Sequence, residues 1–276
     1  MSRRRPKVSA LAELPFIQGD YISDSLDSSL DDGRLEGFEY LVFCAGNDIK
    51  QFPWDGSVTM EEFFLRSNTE AIPAFFEIAK KVGIRRAAYL GSFYPQVSPH
   101  RIDEDPYVKS RHMADEAIRA LSCNTFNVCS LNAPFILGHL PGLEIPHIQT
   151  LVRYAQGVMP DMPVFAPEGG TNHMTVQSVA EALQGGLERG ESGKAYLIGD
   201  ANMSWKEYFE EWFKRAGNEQ QIEVRDEEHP LLPNMILYAG PGATVSYDPP
   251  AEETELLGYG RGRIPAMISE VIEVMG

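Results

Sequence analysis

Tyr107 and Arg111 stand four residues apart in Asp-Pro-Tyr-Val-Lys-Ser-Arg at 105–111. The run opens a helix, so the two side chains lie on one face, one turn apart. A cation fixed beside a tyrosine can pull the phenol pKa down towards neutrality. Such a phenol can pass a proton to or from a carbonyl or alcohol oxygen. Lys109 is no substitute for Arg111, because two residues on in a helix it points away from Tyr107. Most Tyr/Arg pairs at this spacing are surface contacts only, so the elements around them decide.

Upstream, Arg-Ala-Ala-Tyr-Leu-Gly-Ser at 86–92 is an apolar run ending in Gly91 and Ser92. It reads as a buried strand with a hydroxyl at its carboxyl end. In open α/β sheets, ligands bind at the carboxyl ends of strands. Tyr-Leu-Val-Phe-Cys-Ala-Gly at 40–46 reads as another strand, and residues 47–56 as a loop over the site. The stretch 60–82 has helical apolar spacing and stops at Gly83. Its aromatics read as core. Residues 126–131 are a further buried strand, and Tyr94 reads as a loop aromatic lining the pocket, with a proton-donor role as its alternative. From His139 to Gly170 prolines and glycines punctuate a single helix at 148–156. Residues 179–189 read as a helix, 195–198 as a strand, and Ser204 with Glu207 as a capping box starting the next helix. Residues 217–276 form an acidic lobe ending in a helix near 265–274.

Ser92, then Tyr107 and a helical cation, is an order that resembles the extended short-chain dehydrogenases, the family of NAD-dependent epimerases and dehydratases. Phe-Ile-Gln-Gly-Asp at 16–20 looks like that family's strand ending in Gly-Asp, with Asp20 near the adenine. Ala45 and Gly46 look like the strand end that passes over the cofactor. Asn68 looks like the family's Asn at the start of a long helix. Leu-Asn-Ala-Pro-Phe-Ile-Leu-Gly at 131–138 resembles the stretch beside the nicotinamide, which puts Pro134 there. Thr-Asn-His-Met-Thr-Val at 171–176 resembles the late return to the sheet. The resemblance runs from about residue 3 to about residue 215. It implies Tyr107 as general acid/base, Ser92 on the reacting oxygen, and Arg111 where the family has a lysine on the nicotinamide ribose. Arg keeps the charge, but its guanidinium is planar and longer than an ammonium, so the ribose contact is the role least secured. Fifteen positions separate Ser92 from Tyr107, implying a small pocket cover.

The family's chain opens with a strand, a glycine-rich turn and a helix that cradle a pyrophosphate on backbone amides. No such motif precedes Gly19. About forty residues of a standard member are thus expected to be absent, the opening of a βαβ unit. A start codon placed too late is the favoured reading. A truncated product and a rebuilt fold are the alternatives. A chain beginning at Met1 would leave a gap in the sheet, filled by a partner chain or paid in stability. Weak cofactor binding would follow, with an upstream-extended chain binding well. Arg3, Arg4 and Arg5 would face an adenosine 2′-phosphate and favour NADP over NAD. On composition alone they read as a solvated tail.

The expected fold is α/β: a Rossmann-like doubly wound parallel sheet, N-terminally truncated, with a smaller substrate lobe. Residues 1–138, with a return segment at 171–200, would bind the dinucleotide, and 139–276 the substrate. The 276 residues suffice for one large domain or two joined ones. Hydrophobic content of 43% and three cysteines fit a cytosolic globular enzyme. Cys44 and Cys129 fall in expected buried strands and Cys123 in a turn, with no zinc or disulfide spacing. A net charge of −16 and a pI near 4.8 repel nucleic acid and anionic membrane. No apolar run is long enough to span a bilayer or to act as a signal peptide. The six histidines are scattered without ligand spacing, so no metal is expected. Gly91-Ser92 lacks the nucleophile elbow of serine hydrolases. The expected partner is a small-molecule substrate, in a chain compatible with a homodimer.

Three functions compete. The first is an NADP- or NAD-dependent oxidoreductase, epimerase or dehydratase acting on a carbonyl or hydroxyl of a small molecule or sugar derivative. The second is a non-catalytic binding protein on the same fold. The third is a cofactor-independent isomerase or lyase using Tyr107 as base. Cofactor titration separates the first from the others.

Overall fold

Apolar runs alternating with amphipathic segments fold into parallel strands and covering helices. The computed structural model describes residues 1–5, 7–8, 11–26 and 33–276. Helix α1 (Tyr21–Leu26) precedes strand β1 (Tyr40–Phe43). The stretch at 60–82 forms α2 (Met60–Phe64), a π-helical stretch at Leu65–Glu70, and α3 (Ala71–Lys81). Gly83 follows the last helical turn with φ +96°, a backbone region that suits glycine. Then come β2 (Arg86–Ser92), the short α4 (Tyr94–Val97), α5 (Pro106–Ala120) and β3 (Asn127–Ala133). The remaining chain forms β4 (Phe135–Leu137), α6 (Pro146–Ala155), β5 (Phe165–Pro167), β6 (Gly170–Thr175) and α7 (Val176–Arg189). It ends with β7 (Ala195–Leu197), β8 (Ala201–Ser204), α8 (Trp205–Ala216), β9 (Glu223–Arg225), α9 (Ala251–Leu257) and α10 (Ile264–Met275).

The main sheet has the order β1-β2-β3-β7, all parallel. Val42 pairs with Ala88, Leu90 with Leu131, and Val128 with Ala87, so Val42, Leu90 and Val128 lie on neighbouring parallel strands. Both faces are covered, as parallel strands require. On one face, Phe43, Tyr89 and Val128 pack with Phe75 and Phe76 of α3 and Ile118 of α5. On the other, Leu131 and Tyr196 pack with Val179 and Leu183 of α7 and Leu257 of α9. The chain returns to this sheet at β7. The 170–175 segment instead joins a second sheet, β4-β6-β8, parallel to β4 and antiparallel to β8. That sheet packs on a core shared by α6, α8 and α10.

Two further expectations are corrected. Phe-Ile-Gln-Gly-Asp at 16–20 forms no strand: a single parallel bridge joins Ser2 to Gln18. A lone bridge lacks the neighbouring rungs that make a ladder cooperative. Asp20 accepts a hydrogen bond from Ile22 N–H at 3.1 Å, at the start of α1, and Asp24 pairs with Arg34 at 3.2 Å. The acidic, Ser-rich segment 21–33, whose sequence suits a short helix or a loop, forms α1 at its start, and its Asp27, Asp31 and Asp32 lie outside the described residues. Cys44, expected to be buried, is exposed just past the end of β1. The reason is that β1 is an edge strand, and among the described residues no strand pairs with its outer side. Tyr40 and Val42 are accordingly 53% and 46% exposed. Cys129 is buried and Cys123 exposed.

Candidate functional site

The carboxyl ends of β1, β2 and β3 open onto a cavity of about 780 Å³. Its lining includes Gly46 after β1, Ser92 at the end of β2, Pro134 after β3, and Tyr107 and Arg111 of α5. Helix α5 is aimed by its first residues. Asp105 accepts hydrogen bonds from the N–H groups of Tyr107 (2.9 Å) and Val108 (3.1 Å). Pro106 at the first helical position has no N–H to leave unpaired. Tyr107 therefore enters the site from the first turn, and Arg111 one turn later.

Both are nearly buried. Tyr107 is 8%, Arg111 6% and Ser92 7% exposed. The Tyr107 ring stacks on Tyr238 at 4.1 Å with an interplanar angle of 20°, and meets Phe64 edge-on at 5.5 Å. The Arg111 guanidinium lies 5.8 Å from the Tyr107 ring centre and 5.4 Å from that of Tyr89. It donates from Nη2 to Leu90 O at 2.8 Å, while its Nε has no partner among the described residues. Gly46 permits this pose. A Cβ there would sit 2.6 Å from Arg111 Nη1. Gly91 is similarly constrained: a Cβ would fall 1.7 Å from Asn132 Oδ1. Glycine at the last turns of β1 and β2 thus lets two polar side chains approach the strand ends.

Not every expected site residue reaches the cavity. Ala45 is exposed and lies outside the lining. Asn68 is fully buried behind it, in the π-helical stretch. Its Oδ1 accepts from Asn47 N–H at 3.0 Å, and its Nδ2 donates to Asn47 O at 3.0 Å and to Ser110 Oγ at 3.1 Å. Ser110 Oγ in turn donates to Tyr107 O at 2.8 Å. Asn68 therefore ties the loop after β1 to α5. Arg3 and Arg4 are exposed, and Asp20 is half-buried at the start of α1. Tyr94 donates from its hydroxyl to Ile236 O at 3.5 Å, and burial pushes its pKa well above the ordinary phenol value. That makes it a poor proton donor near neutrality.

The sequence did not single out Tyr238, which covers Tyr107, nor the segment around it. Leu231, Leu232, Met235 and Ile236 line the cavity with His147, Ile148 and Leu151 of α6. Tyr238 O accepts from Arg101 Nε at 2.8 Å, which holds the segment to the turn before α5.

These layers define a class by shape: a Rossmann-like α/β fold whose parallel sheet opens its carboxyl edge onto a cavity. No protein-family model and no curated protein matches the chain, whereas many solved structures do. RMD from Pseudomonas aeruginosa, complexed with NADPH, aligns with a TM-score of 0.66 at 17% identity, covering 95% of this chain and 89% of that one. The Bordetella bronchiseptica enzyme WbmG, in complex with NAD and UDP, aligns at 0.68 and 16% identity, covering 98% and 80%. The UDP-N-acetylglucosamine 4-epimerase from Methanobrevibacter ruminantium M1, in complex with UDP-N-acetylmuramic acid, aligns at 0.67 and 13%, covering 95% and 83%. At these identities the likeness establishes the fold. No helix among the described residues is long and apolar enough to cross a membrane.

Proposed function

We propose that this chain is an NAD(P)-dependent oxidoreductase, or an epimerase- or dehydratase-like enzyme, acting on a carbonyl or hydroxyl of a small molecule or sugar derivative. The observation that carries this reading is the convergence of Ser92, Tyr107 and Arg111 on one cavity at the carboxyl edge of a parallel sheet. The NAD, NADPH and UDP named for the similar structures support it.

The residues present fit the nicotinamide half of such a cofactor. Gly46 and Pro134 offer walls without bulky side chains, and Arg111 brings a buried cation whose Nε lacks a partner among the described residues. When bound, the cofactor would supply hydride transfer. The chain's own residues would do the rest. Tyr107 would pass a proton to or from the substrate oxygen through its hydroxyl. Ser92 would donate a hydrogen bond to that oxygen and orient it. Arg111 would hold the Tyr107 ring and the Gly46 turn in place and present its charge to the ribose. Arg3 and Arg4, exposed and outside the cavity lining, would meet the extra phosphate of NADP, whereas Arg5 Nη1 donates to Ala12 O and Leu14 O.

One observation favours a second reading, a binding protein without turnover. The Arg111 head is engaged by Leu90 O and pressed against Gly46, in the place where a lysine ammonium would serve the ribose. Calorimetric titration with NADPH and with NADH, followed by turnover assays, decides between them. Saturable NADPH binding with turnover supports the enzyme. Binding without turnover on any carbonyl or alcohol supports the second reading, and absence of binding removes both redox and cofactor sensing.

A further inference from the structure

The cavity's wall opposite in kind to its hydroxyl-bearing residues is apolar. Helix α6 contributes Ile148 and Leu151, α8 contributes Tyr208 and Phe209, and the 230–238 segment contributes Leu232 and Met235. Leu151, Phe209 and Leu232 belong at the same time to the core of the smaller lobe. This wall is continuous with packed interior, and it is hydrophobic by construction.

Charge in the lining is sparse. Among the lining residues only Asp48, Lys50 and Arg111 carry fixed charges, and His147 is the one imidazole. Arg111 donates to Leu90 O and lies against Gly46, within the Tyr107 group of residues. Asp48 and Lys50 sit two residues apart on one short turn, where Asp48 Oδ1 accepts from Lys50 N–H at 2.7 Å. That bond engages the Lys50 backbone and not its ammonium, so the two opposite side-chain charges share a corner of the lining with no ion pair recorded between them. Partial burial, reinforced by Lys50, holds the His147 pKa below the ordinary histidine value, with Asp48 opposing. His147 is therefore mainly neutral at pH 7. A nucleoside diphosphate carries about two negative charges that must be met by cations or a cluster of aimed N–H donors when buried. This lining offers Lys50 with an opposing carboxylate beside it, Arg111 already engaged by Leu90 O at the Tyr107 end, and a neutral imidazole, so no cluster of cations is aimed at one point of the cavity. An uncharged aromatic or alicyclic body, by contrast, would lose water against Ile148, Leu151, Phe209 and Leu232 at no electrostatic cost.

We infer that the substrate of this site is a neutral, largely apolar carbonyl compound or secondary alcohol, and not a nucleoside-diphosphate sugar. The inference rests on the catalytic reading above for the position of the reacting oxygen. It concerns binding, however, and can be tested without turnover.

The test uses the full chain and calorimetry with four probes: benzoin, acetophenone, 4-phenylcyclohexanone and UDP-glucose. Trp54 lines the cavity, so quenching of its fluorescence gives a second readout. At least one neutral ketone should bind ten-fold or more tightly than UDP-glucose. Met235→Arg, at a half-exposed lining position, should narrow that gap by weakening the ketone and strengthening UDP-glucose. UDP-glucose binding as tightly as the best ketone, or no binding by any ketone, overturns the inference. Tyr107→Phe keeps the outcome separate from the catalytic reading. It should bind the ketone within two-fold of wild type and lose NADPH-dependent reduction of it. Ketone binding with no NADPH oxidation by wild type would sink the catalytic reading while upholding the substrate class.

Discussion

Tyr107 has little freedom. Tyr238 stacks on one face of its ring, Phe64 meets it edge-on, and the Arg111 guanidinium approaches it from α5 itself. A general acid/base needs a fixed hydroxyl more than a free one, because proton transfer depends on hydrogen-bond geometry. Tyr107→Phe keeps every ring contact and deletes only the hydroxyl. Turnover should fall by about 10²–10⁴-fold, the typical worth of a general acid/base, with the melting temperature unchanged. Equal activity in the Phe variant would remove Tyr107 from the mechanism. Gly46→Ala probes the same cluster from the strand side. Its new Cβ would sit 2.6 Å from Arg111 Nη1, on a guanidinium already held by Leu90 O. The guanidinium must shift and strain or break that bond. NADPH affinity measured by calorimetry should drop several-fold while far-UV circular dichroism stays the same. Unaltered affinity would mean that Arg111 plays no part in the cofactor site.

Helix α5 converts a local rule into site geometry. Asp105 caps two N–H groups, one of them that of Tyr107. Asp105→Ala should cost about 1 kcal/mol in urea denaturation, the usual loss for an N-cap carboxylate, and should also lower turnover because the first turn carries the tyrosine. An unchanged denaturation midpoint would show the cap to be dispensable. Elements of this kind were legible in the sequence because their signals are local. The apolar runs read at 40–46, 86–92 and 126–131 correspond to three adjacent parallel strands at Tyr40–Phe43, Arg86–Ser92 and Asn127–Ala133, and Ser204 with Glu207 gave the observed capping box of α8. What depends on distant contacts was not legible. Tyr238 reaches Tyr107 across more than a hundred residues, and no periodicity near 238 announces it. The exposure of Cys44 depends on β1 being an edge strand, which its own apolar sequence does not encode. The pairing of β6 with β4 and β8 follows from tertiary register, and the interruption of α2–α3 by a π-helical stretch follows from the Asn68 ties to Asn47 and Ser110.

Elements around the main sheet and around the second sheet line one cavity, and the second sheet holds an unusual buried group. His173 on β6 is 1% exposed, and among the described residues neither ring nitrogen has a side-chain hydrogen-bond partner in good geometry. Its ring stacks on Tyr208 of α8 at 4.6 Å and faces Phe135 of β4 and Trp205 of α8 edge-on. Tyr208 itself lines the cavity, so this stack connects the second sheet to the cavity wall. Burial pushes the His173 pKa down to about 4, with a backbone contact to Thr171 opposing. A depressed histidine pKa means that the folded state binds fewer protons than the unfolded one between pH 4 and the ordinary value near 6.5. Stability is then fully present above about pH 6.5 and is lost as pH falls towards 4. The lowered pKa of His229, likewise caused chiefly by burial, acts in the same direction. The full His173 shift corresponds to about 3 kcal/mol at most, at 1.36 kcal/mol per unit. Urea denaturation at pH 7.5 and at pH 5.0 should therefore show a loss of one to a few kcal/mol on acidification, by this linkage. His173→Leu, which keeps an apolar body on β6 and cannot take up a proton, should flatten the slope even if it lowers stability at pH 7.5. An equally steep pH dependence in the Leu variant would place the acid sensitivity elsewhere, and the seam between the sheet and α8 would then be indifferent to protonation.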